Sequence, residues 1–582
     1  MRTIIKLIIV IFNPACAGFN IVNAQWNTNP SINTSVAIAA NDQQDVRVAG
    51  DNKGGAIATW CDYRNNIANG DIYAQRINAQ GVVMWTANGV SVCTDVDHQT
   101  TPAIIEDSMS GAIIVWQDWR NGDRDIYAQR VDSMGVIKWA ANGAGIIVKS
   151  YEQQNPKHVS DGSNGAIIVW QDSINGNWDV YVQRINSNGT AQWTSGGVAI
   201  CTAIGDQINP KIETDNQGGA IITWQDKRNG ADYDIYAQRV NSSGATQWTT
   251  NGVSICSVTG TQSNPKIEPD GSGGAIIAWQ DKRNGSDYDV YAQRINASGI
   301  VQWTTNGVSI CSATGSQSAI DLATENINGA IITWKDARNG TLNYDIYAQY
   351  VNLSGTAQWV TNGVAISTAI SNQIAPNIVG DGIGGSIIVW ESDQNSNVNN
   401  PNSDTYAQRI NASGMIQWVT NGVAVATADS NQTSVKHVSD GNGGAIFVWQ
   451  DKRSGNFDIY AHHLYSDGTA SINYENQILE GVAIQIFPNP FTISTTIIIT
   501  GKKITNSTNK NIELIIYDIT GKKHKKIVPL SDQFISEDKI EIKLTGDNLH
   551  AGIYFYQLIL CNNDEIETIH TGKFIVINPS NK

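Results

Sequence analysis

Arg47, Lys157, Lys211, Lys266 and Lys436 stand at one repeated position of a chain that restates itself about every 55 residues; the other repeats carry Ala103, Asp321 and Asn377 there. Five cations at one register of a cyclic repeat would line a central channel, and the chemistry open to them is binding of an anion such as a uronic-acid glycan. Pairing with acids on the same strands, notably Glu213 and Glu268, is the competing use. His462 and His463 replace the Gln-Arg pair that most repeats carry, and the seventh repeat holds the longest insertion, "ESDQNSNVNNPNSDTY". Either feature could mark one face for ligand binding, because loops on a rigid scaffold commonly carry recognition.

Catalytic chemistry finds no comparable constellation. GxSxG, HExxH and phosphate-loop sequences are absent, the eight histidines are scattered, and most carboxylates recur at repeated positions. No catalytic residue is assigned, and choosing a glycosidase pair among so many repeated acids has no basis. No metal or cofactor is expected, since no CxxC or Cys/His pair stands at metal spacing. The net charge is −15, and after residue 481 eleven lysines face ten acids, so the negative charge belongs to the repeats. Nucleic acid is therefore not an expected partner.

The elements that must position these residues follow from the repeat. Trp60, Trp116, Trp170, Trp224, Trp279, Trp334, Trp390 and Trp449 recur at intervals of 54 to 59 residues and define eight units. Within one unit, "NPKIEPD", "AIIAWQD", "DVYAQRIN" and "IVQW" are short strand-like runs separated by Gly, Asn, Asp and Ser turns, giving four strands per unit. Antiparallel four-stranded sheets repeated eight times are best closed radially, which predicts an all-β, eight-bladed β-propeller. Asp281, Arg283, Asp289, Tyr291, Gln293 and Arg294 recur with the Trp and suit a hydrogen-bonded strut inside each blade. Cys93, Cys201, Cys256 and Cys311 occupy equivalent places in separate units and read as buried single thiols. The eighth unit lacks the Gln-Trp of the others, whereas "QWNTNPSINTSVAI" near the start reads like "QWVTNGVAISTAI" from Gln358; the segment 25–33 is thus expected to close the ring.

The opening "MRTIIKLIIVIF" and the small residues Val22 and Ala24 predict a signal peptide over 1–24. The propeller is expected over 25–475, a linker over 476–481 and a second domain over 482–582. No later stretch reaches the length of a transmembrane helix.

The hairpin "AQRINASGIVQW" resembles pyrroloquinoline-quinone-type propeller repeats, although the adjacent cysteine pair that quinoprotein dehydrogenases would imply is missing. "VAIQIFPNPFTISTTIIIT", "IELIIYDITGKKHKKI", "NLHAGIYFYQLIL" and "TGKFIVI" resemble the type A C-terminal sorting domain of type IX secretion cargo from Bacteroidota. That resemblance implies that Pro488, Asn489 and Pro490 open the domain, and that Tyr517, Asp518 and Gly521 form a hairpin. It also implies that Gly552, Ile553 and Tyr554 lie on a core strand, and Gly572, Lys573 and Phe574 on the terminal recognition strand. Alternation in these runs predicts a small immunoglobulin-like sandwich. The implied partners are the translocon and a surface sortase-like peptidase, and the implied location is secreted or on the outer-membrane surface, as a monomer. The expected function is a binding module for a glycan or protein ligand; a polysaccharide hydrolase or lyase using the propeller face or channel is the alternative.

Overall fold

The computed structural model describes residues 26–470 except 325–327, 341–342 and 394–401, and, beyond 482, eight strands lying between residues 483 and 576. The signal-peptide segment, Pro488, Asn489, Pro490 and Gly521 lie outside the described residues. The chain folds as two compact units, and the boundary between the repeats and the C-terminal unit falls between Ser471 and Ile472.

Eight four-stranded antiparallel sheets form the repeat unit, one for each repeated Trp. In the fifth, the strands are Gln262–Pro269, Ala275–Asp281, Asp289–Ile295 and Val308–Cys311 in sequential order from the channel outward. The second strand is buried along its whole length because both of its faces meet neighbouring blades. The eight repeated Trp residues are at most 1% exposed. Trp279 packs with Ile221, Ile235, Ile255 and Cys256 of the preceding blade, so each Trp fills the seam between two sheets.

The strut is built around one carboxylate. Asp281 accepts from Trp279 Nε1 at 2.7 Å and from Arg283 Nε at 2.9 Å. The Arg283 guanidinium lies 3.7 Å from the Tyr291 ring centre and also donates to the Asn306 carbonyl at 2.8 Å. A buried charge is tolerated here because it is paired and fully hydrogen-bonded. Gly307, with φ +90°, closes the same corner: a Cβ there would come within 2.5 Å of the Trp279 ring.

The fourth strand differs from the sequence reading. "IVQW" makes only one isolated bridge, Ile295 to Val301, and the outer strand is Val308–Cys311. The reason lies in Trp303, whose amide is held by Gln293 Oε1 at 2.9 Å while its indole donates to the Leu353 carbonyl of the next blade, also at 2.9 Å. It serves as a pin between blades.

The ring closes through the N-terminal segment, but the pairing strand lies just beyond residues 25–33. Thr34–Ala37 is the outer strand of blade eight and pairs with Asp458–Leu464. Trp26 is the matching pin, donating to the Ala79 carbonyl of blade one at 2.9 Å. Arg453 fixes the approach by donating to the carbonyls of Ser31 and Ile32 and to Asn33 Oδ1.

The C-terminal unit holds two four-stranded antiparallel sheets. In one, Asn511–Asp518, Gly552–Asn562 and Glu565–Val576 are adjacent, which sets Asp518 opposite Tyr554 and Tyr554 opposite Phe574. Leu514, Ile516, Tyr554, Tyr556 and Val576 of this sheet are buried.

Candidate functional site

The innermost strand of every blade carries a β-bulge. In Gln262–Pro269 the register slips by one residue between Ser263 and Lys266, and the first of the two residues between, Asn264, has φ +52°. Equivalent residues in all eight inner strands have φ between +51° and +56°. The Asn264 amide, released from the ladder, donates to Gln225 Oε1 of the preceding blade at 2.8 Å. A bulge re-aims the side chain that follows it, and here that side chain is the repeated cation position.

The structure brings most of those positions to one place. Arg47, Lys157, Lys436, Asp321 and Asn377 line a 360 Å³ cavity in the channel, together with Ala103. Lys266 reaches the same ring through Asp321 Oδ1 at 3.0 Å, and Lys436 through Asn377 Oδ1 at 3.2 Å. Asn377 in turn donates to Asp321 at 3.1 Å, so blades five to eight are linked by a run of side-chain hydrogen bonds. Lys211 is held by Asn209 at 2.8 Å.

Two of the cations pair with acids other than those named from the sequence. Arg47 pairs with Asp45 at 2.7 Å and Lys266 with Asp321, whereas Glu213 and Glu268 sit further along their strands. Lys157 Nζ contacts only the Pro156 carbonyl, and Lys211 and Lys436 bond only to amide or carbonyl oxygens, among the described residues. Burial, aggravated by the neighbouring cations, pushes Lys211 down to about 7 and Lys157 and Lys436 down to about 8. His158 and His437, which the sequence reading passed over, also line the cavity; burial pushes both down to about 4, and each ring bonds a backbone carbonyl.

His462 and His463 do not belong to this site. Both are buried, at 1% and 3% exposure, which excludes them as ligand-contacting residues on a face. His463 bonds Asp440 at 2.9 Å, the place taken by Arg294 and Asp270 in blade five, and packs against Trp26 and Tyr465. In blade eight the segment packed against His463 is the N-terminal clasp, through Trp26. Of the seventh-blade insertion, residues 394–401 lie outside the described residues. Among the described residues no three His, Cys, Asp or Glu side chains are grouped to hold a metal ion.

Residues 485–576 match the family described as Secretion system C-terminal sorting domain. The chain ends in a type IX sorting domain. Its presence marks the protein for export to the cell surface or the extracellular space. No curated protein matches the chain. Among solved structures, the chain is similar to an α-L-arabinanase of Penicillium chrysogenum complexed with arabinobiose. The identity is 10% and the TM-score 0.31, over 56% of this chain and 97% of that one. It is also similar to a protein of unknown function from Dyadobacter fermentans, at 9% identity and a TM-score of 0.34 over 62% and 94% of the two chains. An endo-arabinase of Bacteroides thetaiotaomicron shows 14% identity and a TM-score of 0.27 over 44% and 93%.

Proposed function

We propose that the propeller is an exported recognition module that holds an anionic group of its ligand, a glycan or a protein, in the central channel. One observation carries this reading: three channel lysines form no ion pair with a carboxylate among the described residues, and burial, more than the neighbouring cations, lowers their basicity. An anion placed among them would restore their charge and replace the counter-ion the fold does not supply. The volume suits one sugar-sized group.

Immobilised protein should retain acidic polysaccharides from a panel of acidic and neutral ones, and the Lys157→Met/Lys211→Met/Lys436→Met variant should not. Equal retention by the variant would refute the channel as the site. A second reading, cleavage of a polysaccharide in the same channel, has its own observation in Glu213. Burial raises that carboxyl above the usual carboxylate range, the direction a general acid requires. New reducing or unsaturated ends in the eluates, lost with Glu213→Gln, would support cleavage; eluates without new ends leave recognition.

A further inference from the structure

The blades differ where the second strand ends. At the residue that follows it, blades one and two alone hold aromatics, Tyr63 and Trp119; the other six hold small or charged residues there. Blade one also departs from the repeat at Gly70, since every other blade has a side chain at the residue before its third strand. A Cβ on Gly70 would come within 2.2 Å of Cys61 Sγ and 3.2 Å of Tyr63 Cζ, so the glycine leaves the room in which the Tyr63 ring lies. His98 of blade two backs that ring at 6.0 Å between centres. Its Nδ1 accepts from the Gly70 amide at 2.8 Å, and it packs against Trp119 at 5.3 Å. The Tyr63 amide donates to the Asp42 carbonyl at 2.9 Å, which fixes the residue before any ligand arrives.

Tyr63 walls a pocket of 260 Å³ that the two ends of the ring build together: Asn41, Asp42, Gln44 and Ile67 come from blade one and Asn456 from blade eight. Asp42 ties the two blades, accepting from the Phe457 amide at 2.9 Å and from Gln44 Nε2 at 2.8 Å. Asn41 donates through Nδ2 to the Tyr63 carbonyl at 3.1 Å. Asn41 Oδ1, Gln44 Oε1 and the Asn456 side-chain amide have no partner among the described residues, and Ile67 is 80% exposed.

This lining combines an aromatic wall, an exposed aliphatic side chain and open amide groups. Sugar rings present the matching surfaces, a C–H face that packs on apolar side chains and hydroxyls that both donate to and accept from amides. The one charged side chain of the lining is Asp42, so anions are disfavoured here, in contrast with the lysines of the channel. The volume takes a single ring, which makes a chain end the fitting part rather than the middle of a polymer. We infer that the propeller has a second binding site, at the junction of blades one and eight, that holds the terminal sugar of a neutral oligosaccharide against Tyr63. This site goes beyond the channel reading and does not depend on it.

A printed array of neutral oligosaccharides probed with the full exported protein, followed by calorimetric titration of the best-retained one, tests the site. Capture is expected, and Tyr63→Ala should weaken it by about tenfold or more. Gln44→Ala/Asn456→Ala should weaken it likewise and covers the case in which the Tyr63 variant does not fold. The Lys157→Met/Lys211→Met/Lys436→Met variant should bind as the parent does. No capture of any neutral oligosaccharide, capture that survives either set of pocket substitutions in a folded variant, or capture lost with the channel lysines would overturn the inference. Retention of acidic polysaccharide by the pocket variants reports on the channel separately, so the two readings fail independently.

Discussion

At the scale of single residues, the account rests on lysines whose protonation is disfavoured in the folded state. Lys211 gives up its proton near 7 and Lys157 and Lys436 near 8, whereas an unfolded lysine holds its proton to about 10.4. Between those limits the unfolded chain binds more protons, so unfolding free energy contributed by these groups rises with pH from about 7 to 10. Urea unfolding at pH 7 and pH 9.5 should therefore show a gain at the higher pH that Lys157→Met/Lys211→Met/Lys436→Met lacks; an equal gain in the variant would mean the lysines are ordinary surface groups. The cation register was legible in the sequence because, in seven of the eight repeats, a polar residue stands nine positions before the first residue of the run that ends in the repeated Trp. Their partners were not legible, because Asp45 is brought to Arg47 by the bulge, and Asp321 to Lys266 by packing of adjacent blades. His462 and His463 misled because the third strand is buried on both faces in blade eight, and polar residues in such a strand look like surface ones until their partners are seen.

At the scale of elements, blade count and strand order of the first three strands were readable from the Trp spacing and the Gly, Asn and Asp turns. The outer strand was missed because "IVQW" has the composition of a strand, yet its Trp is used between blades; the signal for the true strand was the Asn-Gly turn followed by "VSIC". Blade eight depends on residues from the other end of the chain, with Trp26, Val36 and Ala37 in one buried cluster with Trp60, Ile446 and Ile459. Trp26→Ala removes a buried aromatic and its indole hydrogen bond, at a cost of about 3–5 kcal/mol. Deletion of residues 26–37 goes further, baring Asp458–Leu464 as an open strand edge. The deleted protein should melt at lower temperature and self-associate in sedimentation; an unchanged melting point and monomer would show that the ring does not need its clasp.

At the scale of the whole molecule, a repeated scaffold and a sorting tail divide the work of holding a site and delivering it. The tail was readable because its motifs keep their order over nearly a hundred residues. Deleting residues 482–582 should leave the propeller inside the cell envelope, where fractionation would find it; secretion of the deleted form would deny the tail its role. The most direct test of the central claim is titration of glucuronate into the intact protein and its Lys157→Met/Lys211→Met variant at pH 6.5 and pH 9. The account predicts one binding site per chain at pH 6.5, weakening at least tenfold at pH 9 as the lysines discharge, and no binding by a variant that still melts as the parent does. Binding that is indifferent to pH and to the two substitutions would contradict it.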